Sequence, residues 1–132
     1  MIGHIGVNVP DLESARTYYD ALMPLLGFEK HLDMADQFAF RPAGGKPGTY
    51  LFFYPALTQT PYSRHQTGLQ HLAFMVKSRS AVRAAHDWAI GMECQILQKP
   101  RNFPEYPPPY YATFWLDPAG IMLEAVCHHD RP

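Results

Sequence analysis

The feature that most limits how this chain can fold is that it is written twice. His4-Ile5-Gly6-Val7-Asn8-Val9 lines up with His71-Leu72-Ala73-Phe74-Met75-Val76, sixty-seven residues further on. Self-similarity at a fixed offset marks a repeated structural unit. Each block alternates with a period of two, so Ile5, Val7 and Val9 share one strand face, as do Leu72, Phe74 and Val76. His4 and His71 therefore start the opposite faces of two strands, in equivalent positions.

The correspondence continues beyond the strands. Pro10-Asp11 opens a helix with Asp11 as N-cap and Glu13 in the first turn. Leu12, Ala15, Tyr19 and Leu22 mark its buried stripe, and it ends between Pro24 and Gly27. In the second copy Ser78 or Ser80 caps a helix through Val82, Ala85, Ala89 and Ile90, closed by Gly91. A short strand follows each helix. Two apolar-rich runs then complete each half, 37–41 with 49–54 and 110–116 with 121–127.

Each half is thus β-α-β-β-β, and the predicted class is α+β. The expected boundaries within one 132-residue domain are a first module over 1–57, a linker over 58–68 and a second module over 69–132. Asp117-Pro118-Ala119-Gly120 predicts a tight hairpin, because Pro pre-sets one turn dihedral and Gly permits a positive one. The longer, Gly-rich 42–48 connection predicts a looser one. The linker TQTPYSRHQTG reads as exposed, with Tyr62, Arg64 and His65 available to a site mouth.

Charge and composition exclude several function classes. Eleven Lys and Arg against twelve Asp and Glu leave a formal charge of −1. No basic block exceeds two residues, so the footprint of a nucleic-acid binder is missing. The longest nonpolar stretch, 51–57, contains Pro55 and falls far short of the roughly 20 residues of a membrane span. The N-terminus lacks a basic segment, and Asn8, Pro10 and Asp11 would interrupt a signal-peptide core, so a cytoplasmic protein is expected. Cys94 and Cys127 form no CxxC pair, which argues against a disulfide framework or a thiolate zinc site.

Glu124 is the informative exception in the last strand, GIMLEAV. Ile121, Leu123 and Ala125 take the core face, which leaves a carboxylate in the middle of an apolar strand. Burying it unpaired costs several kcal/mol, so it must face water, a partner or a cation. With His4 and His71 it makes a His, His, Glu set that leaves coordination positions open, as in non-haem Fe(II) oxygenases and in His₂Glu zinc hydrolases. Taken singly, each of these residues also suits an ordinary solvated strand face. His31, His86, His128 and His129 read as loop, helix-surface and tail residues.

HIGVNVPDLESARTYY, GLQHLAFMV and FWLDPAGIMLEAV resemble the vicinal oxygen chelate superfamily, which groups glyoxalase I, fosfomycin-resistance enzymes, bleomycin-resistance proteins and extradiol dioxygenases. The resemblance covers essentially the whole chain. It implies two tandem βαβββ modules forming a cupped eight-stranded mixed sheet, with a divalent ion (Fe, Mn, Zn or Ni) held by His4, His71 and Glu124. Counting from the turn glycines, Phe52 stands where glyoxalase I has a further carboxylate ligand. The resemblance therefore implies a metal-dependent lyase or ring-cleaving dioxygenase acting on a small oxygen-chelating substrate, and not a true glyoxalase I. The alternative is a non-catalytic small-molecule binding or antibiotic-resistance protein of the bleomycin-resistance type. A homodimer is expected from the same resemblance, with neither nucleic acid nor membrane as partner.

The segment PRNFPEYPPPYY presents aromatic rings on a Pro-stiffened chain at small ordering cost. Phe103, Tyr106, Tyr110 and Tyr111, with Phe52 and Tyr54, are the expected substrate-contacting residues. A rigid connector or a contact between subunits would use the same composition.

Overall fold

The computed structural model describes residues 1–132. By its contacts the chain divides into two compact units, 1–60 and 61–132, with the division inside the TQTPYSRHQTG segment. Each unit is a four-stranded mixed sheet with one α-helix, so the α+β class and the βαβββ order of each half are as the sequence indicated.

In the first unit β1 (His4–Val9), α1 (Leu12–Leu22), β2 (Phe28–Met34), β3 (Gln37–Pro42) and β4 (Tyr50–Pro55) make a sheet of order β1-β4-β3-β2. β1 and β4 run parallel, whereas β4, β3 and β2 are antiparallel neighbours. Asp11 caps α1 by accepting from the Ser14 N–H at 3.1 Å, and a short 3₁₀ turn over Met23–Leu26 ends at Gly27, whose φ of 85° suits a residue without Cβ. Val7, Val9, Tyr18, Tyr19, Leu22, Phe38, Phe40 and Phe53 form the core of this unit. Phe53 packs its ring against Tyr19 at 4.3 Å and Phe38 at 4.8 Å, so aromatic rings fill the layer between helix and sheet.

In the second unit β5 (Leu72–Met75), α2 (Arg79–Gly91), β6 (Ile96–Asn102), β7 (Tyr111–Leu116) and β8 (Met122–Cys127) repeat the plan as β5-β8-β7-β6. Ser78, rather than Ser80, caps α2 through the Ala81 N–H. Two details differ from the sequence reading. The left-handed step after α2 is taken by Glu93 at φ 59°, not by Gly91, which stays helical. Ile90 lies half exposed, so the buried stripe of α2 is Val82, Ala85 and Ala89. These small residues face a sheet whose buried layer holds Thr113, Trp115, Leu123 and Ala125.

The β7–β8 hairpin is tight, as its sequence predicts. Asp117 Oδ1 accepts from the N–H groups of Ala119 and Ile121, both at 2.9 Å, and Gly120 takes φ 89°. β6 is an edge strand, which is why Pro100 is tolerated inside it. The aromatic and Pro-rich segment is therefore strand over 100–102 and at Tyr111, and connection between them. No helix is long and apolar enough to cross a membrane.

Candidate functional site

Register decides which side chains can meet on the sheet face turned away from each helix. In the second unit Glu124 lies between Ala73 of β5 and Phe114 of β7, and Ala112, Phe114, Val126 and Glu124 share that face. Glu124 is 1% exposed, so the solvated-face reading of this carboxylate does not hold. Its oxygens find two partners. The Tyr110 hydroxyl donates to Oε2 at 2.5 Å, and His71 Nε2 lies 3.2 Å from Oε1. Burial and the bond to Glu124 hold the Tyr110 hydroxyl well above the usual phenol range, so it stays a donor.

His71 sits one residue before β5, and its Nδ1 contacts the side-chain amide oxygen of Gln70. With Nδ1–H donating to that oxygen, Nε2 presents a lone pair to a carboxylate oxygen, acceptor against acceptor. A cation between them, a proton or a metal, removes that conflict. Gln70 thereby fixes the orientation of the His71 ring.

Phe103, Tyr106 and Tyr110 gather beside this pair. Phe103 is buried with Ala112 and Val126, and its ring lies 5.7 Å from Tyr110, 6.2 Å from Tyr106 and 5.5 Å from Phe114. Phe114 in turn lies 6.0 Å from the His71 ring. Tyr111 is a correction to the sequence reading. It stands on the helix side of the sheet, under the guanidinium groups of Arg79 and Arg83 of α2 at 5.6 and 6.0 Å, and so is turned away from Glu124. The reason is the strand period: neighbours 110 and 111 cannot serve one face.

The first unit presents a different surface at the matching positions. Phe52 lies between Gly6 and Ala39, the register seat that Glu124 occupies in the second unit. His4 meets the Phe52 ring edge-on at 5.3 Å, and Tyr54 stacks beside Phe52 at 6.3 Å. Tyr54 also lines an open cavity of about 500 Å³ with Asn8, Asp36 and Thr58. His31, read from sequence as a loop residue, lies in β2 at a bulge between Lys30 and Leu32. The bulge turns it onto the face of Phe52 and Tyr50, at 6.2 and 4.8 Å. No local signal announced the bulge.

Two other carboxylates of this unit are already engaged. Glu29 is held below its usual range by the Gly44 N–H and by Arg41. Burial pushes the Asp33 carboxyl up, but Lys30 and Arg16 together hold it below its usual range. Within neither unit do three His, Cys, Asp or Glu side chains gather in a metal-holding group.

Relatives share this plan. The uncharacterized protein YqjT of Bacillus subtilis (strain 168) is 26% identical over 126 residues, covering 93% of this chain and 95% of its own. A crystal structure from Bacillus halodurans, provisionally assigned as a glyoxalase, superposes with a TM-score of 0.82 at 29% identity over 96% of this chain and 95% of that one. The fold is also that of a lactoylglutathione lyase from Agrobacterium tumefaciens, with a TM-score of 0.63 and 20% identity over 96% and 92% of the two chains. The model of the Glyoxalase/Bleomycin resistance protein/Dioxygenase superfamily matches residues 1–125, and the chain belongs to that superfamily.

Proposed function

We propose that this protein is a divalent-metal-dependent enzyme acting on a small oxygen-chelating substrate, of the lyase or ring-cleaving dioxygenase type, with His4, His71 and Glu124 as metal ligands. The observation that carries the reading is the buried Glu124 Oε1 lying 3.2 Å from the imidazole Nε2 of His71. What supports the reading is the chemistry of the pair within the second unit, where one carboxylate oxygen and an oriented imidazole adjoin; His4 is the residue matching His71 in the repeat. A bound ion would supply Lewis-acid polarisation of substrate oxygens, or oxygen activation if redox-active. The chain's own part is to hold Glu124 through the Tyr110 hydroxyl, orient His71 through Gln70, and offer the Tyr106 and Tyr110 rings, backed by the buried Phe103, to the substrate body.

Phe52 at the seat matching Glu124 supports a chemistry other than that of glyoxalase I, since Phe can neither ligate nor move a proton. Neither Glu29 nor Asp33 is free to replace it. We expect negligible isomerisation of the methylglyoxal–glutathione hemithioacetal. A cytoplasmic homodimer completes the reading.

A second reading, a non-catalytic small-molecule binder, draws on the Tyr110 hydroxyl, which already satisfies one oxygen of the buried Glu124 without an ion. Metal analysis separates the two. Untagged protein should carry one divalent ion per chain, and His4→Ala, His71→Ala and Glu124→Gln should each lower the bound metal. Full stoichiometry in all three variants would overturn the assignment, and metal-free protein that retains ligand binding would favour the second reading.

A further inference from the structure

We infer that Arg101 is an anion-recognition residue, and that the ligand of the second unit is a small acid whose carboxylate meets this guanidinium while its planar body lies along the neighbouring rings. Arg101 pairs in register with Ala112, on the face that carries Phe114 and Glu124. Its guanidinium lies over the Phe103 ring at 3.7 Å, a closer approach than any other cation over a ring in the chain. Nε donates to Gln98 Oε1 at 3.2 Å, and Nη1 donates to the Asn102 carbonyl at 3.0 Å. A long, flexible side chain is thus fixed before any ligand arrives, which lowers the ordering cost of binding.

The remaining donors are not used up. Nη2 has only Glu105 as a charged neighbour, at 3.8 Å, beyond hydrogen-bond distance, with both side chains about half exposed. Such a surface pair is weak and yields to a better-placed carboxylate, which can take two parallel N–H bonds from the guanidinium fork. Phe103 bridges the two ends of the proposed ligand site. Its ring carries Arg101 and adjoins Tyr110, whose hydroxyl holds Glu124. Phe103 is itself buried, so an acid seated on Arg101 lays its body on the half-exposed Tyr106 ring beside it, towards the Glu124 and His71 pair.

The inference deepens the proposed function and rests on it only for which end of the ligand faces Glu124. The test uses the full chain and two planar probes of like shape, sodium benzoate and neutral benzamide, titrated at constant ionic strength and followed by NMR at the Arg101 Nε–H and the Phe103 and Tyr106 ring protons. Benzoate should shift these signals saturably, with benzamide roughly tenfold weaker or worse, as expected for loss of a charge-assisted bond. Arg101→Gln should remove that preference, and Glu105→Gln should tighten benzoate by releasing the competing carboxylate. Equal binding of the two probes, an Arg101→Gln variant that keeps the preference, or benzoate shifts confined to other residues would overturn the inference. If Arg101→Gln fails to fold, Glu105→Gln decides, because unchanged or weaker benzoate binding there is also fatal. Metal content of the same samples judges the metal ligands separately, so the two readings fail independently.

Discussion

The two units share a strand order and a helix, yet they distribute size and charge in opposite ways. In the first unit the central parallel pair places Val7 beside Phe53 on the helix side, and in the second Phe74 beside Ala125. The large ring has changed strands while the pair keeps a similar total volume, which is the kind of exchange a close-packed interior tolerates. On the other face, at the preceding residue of the same strand, Phe52 answers to Glu124. The comparison teaches that the repeat conserves backbone pairing, while each face is free to specialise: aromatic with His4 and His31 in the first unit, acid with His71 and Tyr110 in the second.

The sharpest way to break this comparison is to delete the ring that fills the first unit. Phe53→Ala should destabilise by about 3–5 kcal/mol, because the Tyr19 and Phe38 rings that flank it cannot both collapse into the space. Ala125→Phe, the converse change in the second unit, should cost about 1–3 kcal/mol through overpacking. Denaturant unfolding gives the totals, and hydrogen exchange should assign the loss of protection to 1–60 for the first variant and to 61–132 for the second.

A smaller effect is expected on the open faces. Tyr110→Phe takes the hydroxyl donor from a buried carboxylate and should cost about 1–3 kcal/mol. Tyr54→Phe removes a hydroxyl that makes no hydrogen bond and should stay within about 0.5 kcal/mol. Equal effects in thermal or denaturant unfolding would show that the Glu124 pairing contributes nothing particular to the second unit.

The smallest difference should appear with acid. Asp11, Glu29 and Asp33, each held below its usual range, all belong to the first unit. Asp11 is lowered by the Ser14 N–H, Glu29 by the Gly44 N–H and then Arg41, and Asp33 by Lys30 and Arg16 against the effect of burial. A carboxylate with a lowered folded-state pKa contributes stability above its unfolded value, at about pH 4, and loses it as pH falls through the folded one. Asp11 and Asp33 are exposed and Glu29 partly so, which keeps the effect modest. Hydrogen exchange at neutral pH and near pH 3 should show protection falling further in β2 and β3 than in β7 and β8. The reverse order would contradict the charge asymmetry.

Much of this was legible in the residues themselves. The repeat, the Asp11 cap, a serine cap at 78 or 80, the 117–120 hairpin and the oddity of Glu124 all follow from local periodicity and turn chemistry, which act over a few residues. That Phe52 holds the seat matching Glu124 was likewise readable by counting from the turn glycines Gly48 and Gly120, because a strand holds a strict period of two. That same period could have shown that Tyr110 and Tyr111 do not serve one face, and that Arg101 and Phe103 do.

Only the tertiary structure decided which side chains meet across strands. The bulge that brings His31 beside Phe52, the pairing that puts Phe114 next to Glu124, and the connection that returns Tyr110 to Glu124 depend on register between distant segments. A bulge changes that register by one residue and so turns a side chain from one face to the other. The sequence determined the faces of each strand in isolation. What stands opposite each face was settled by long-range pairing and close packing, whose free energy is shared among many residues and written in none of them singly.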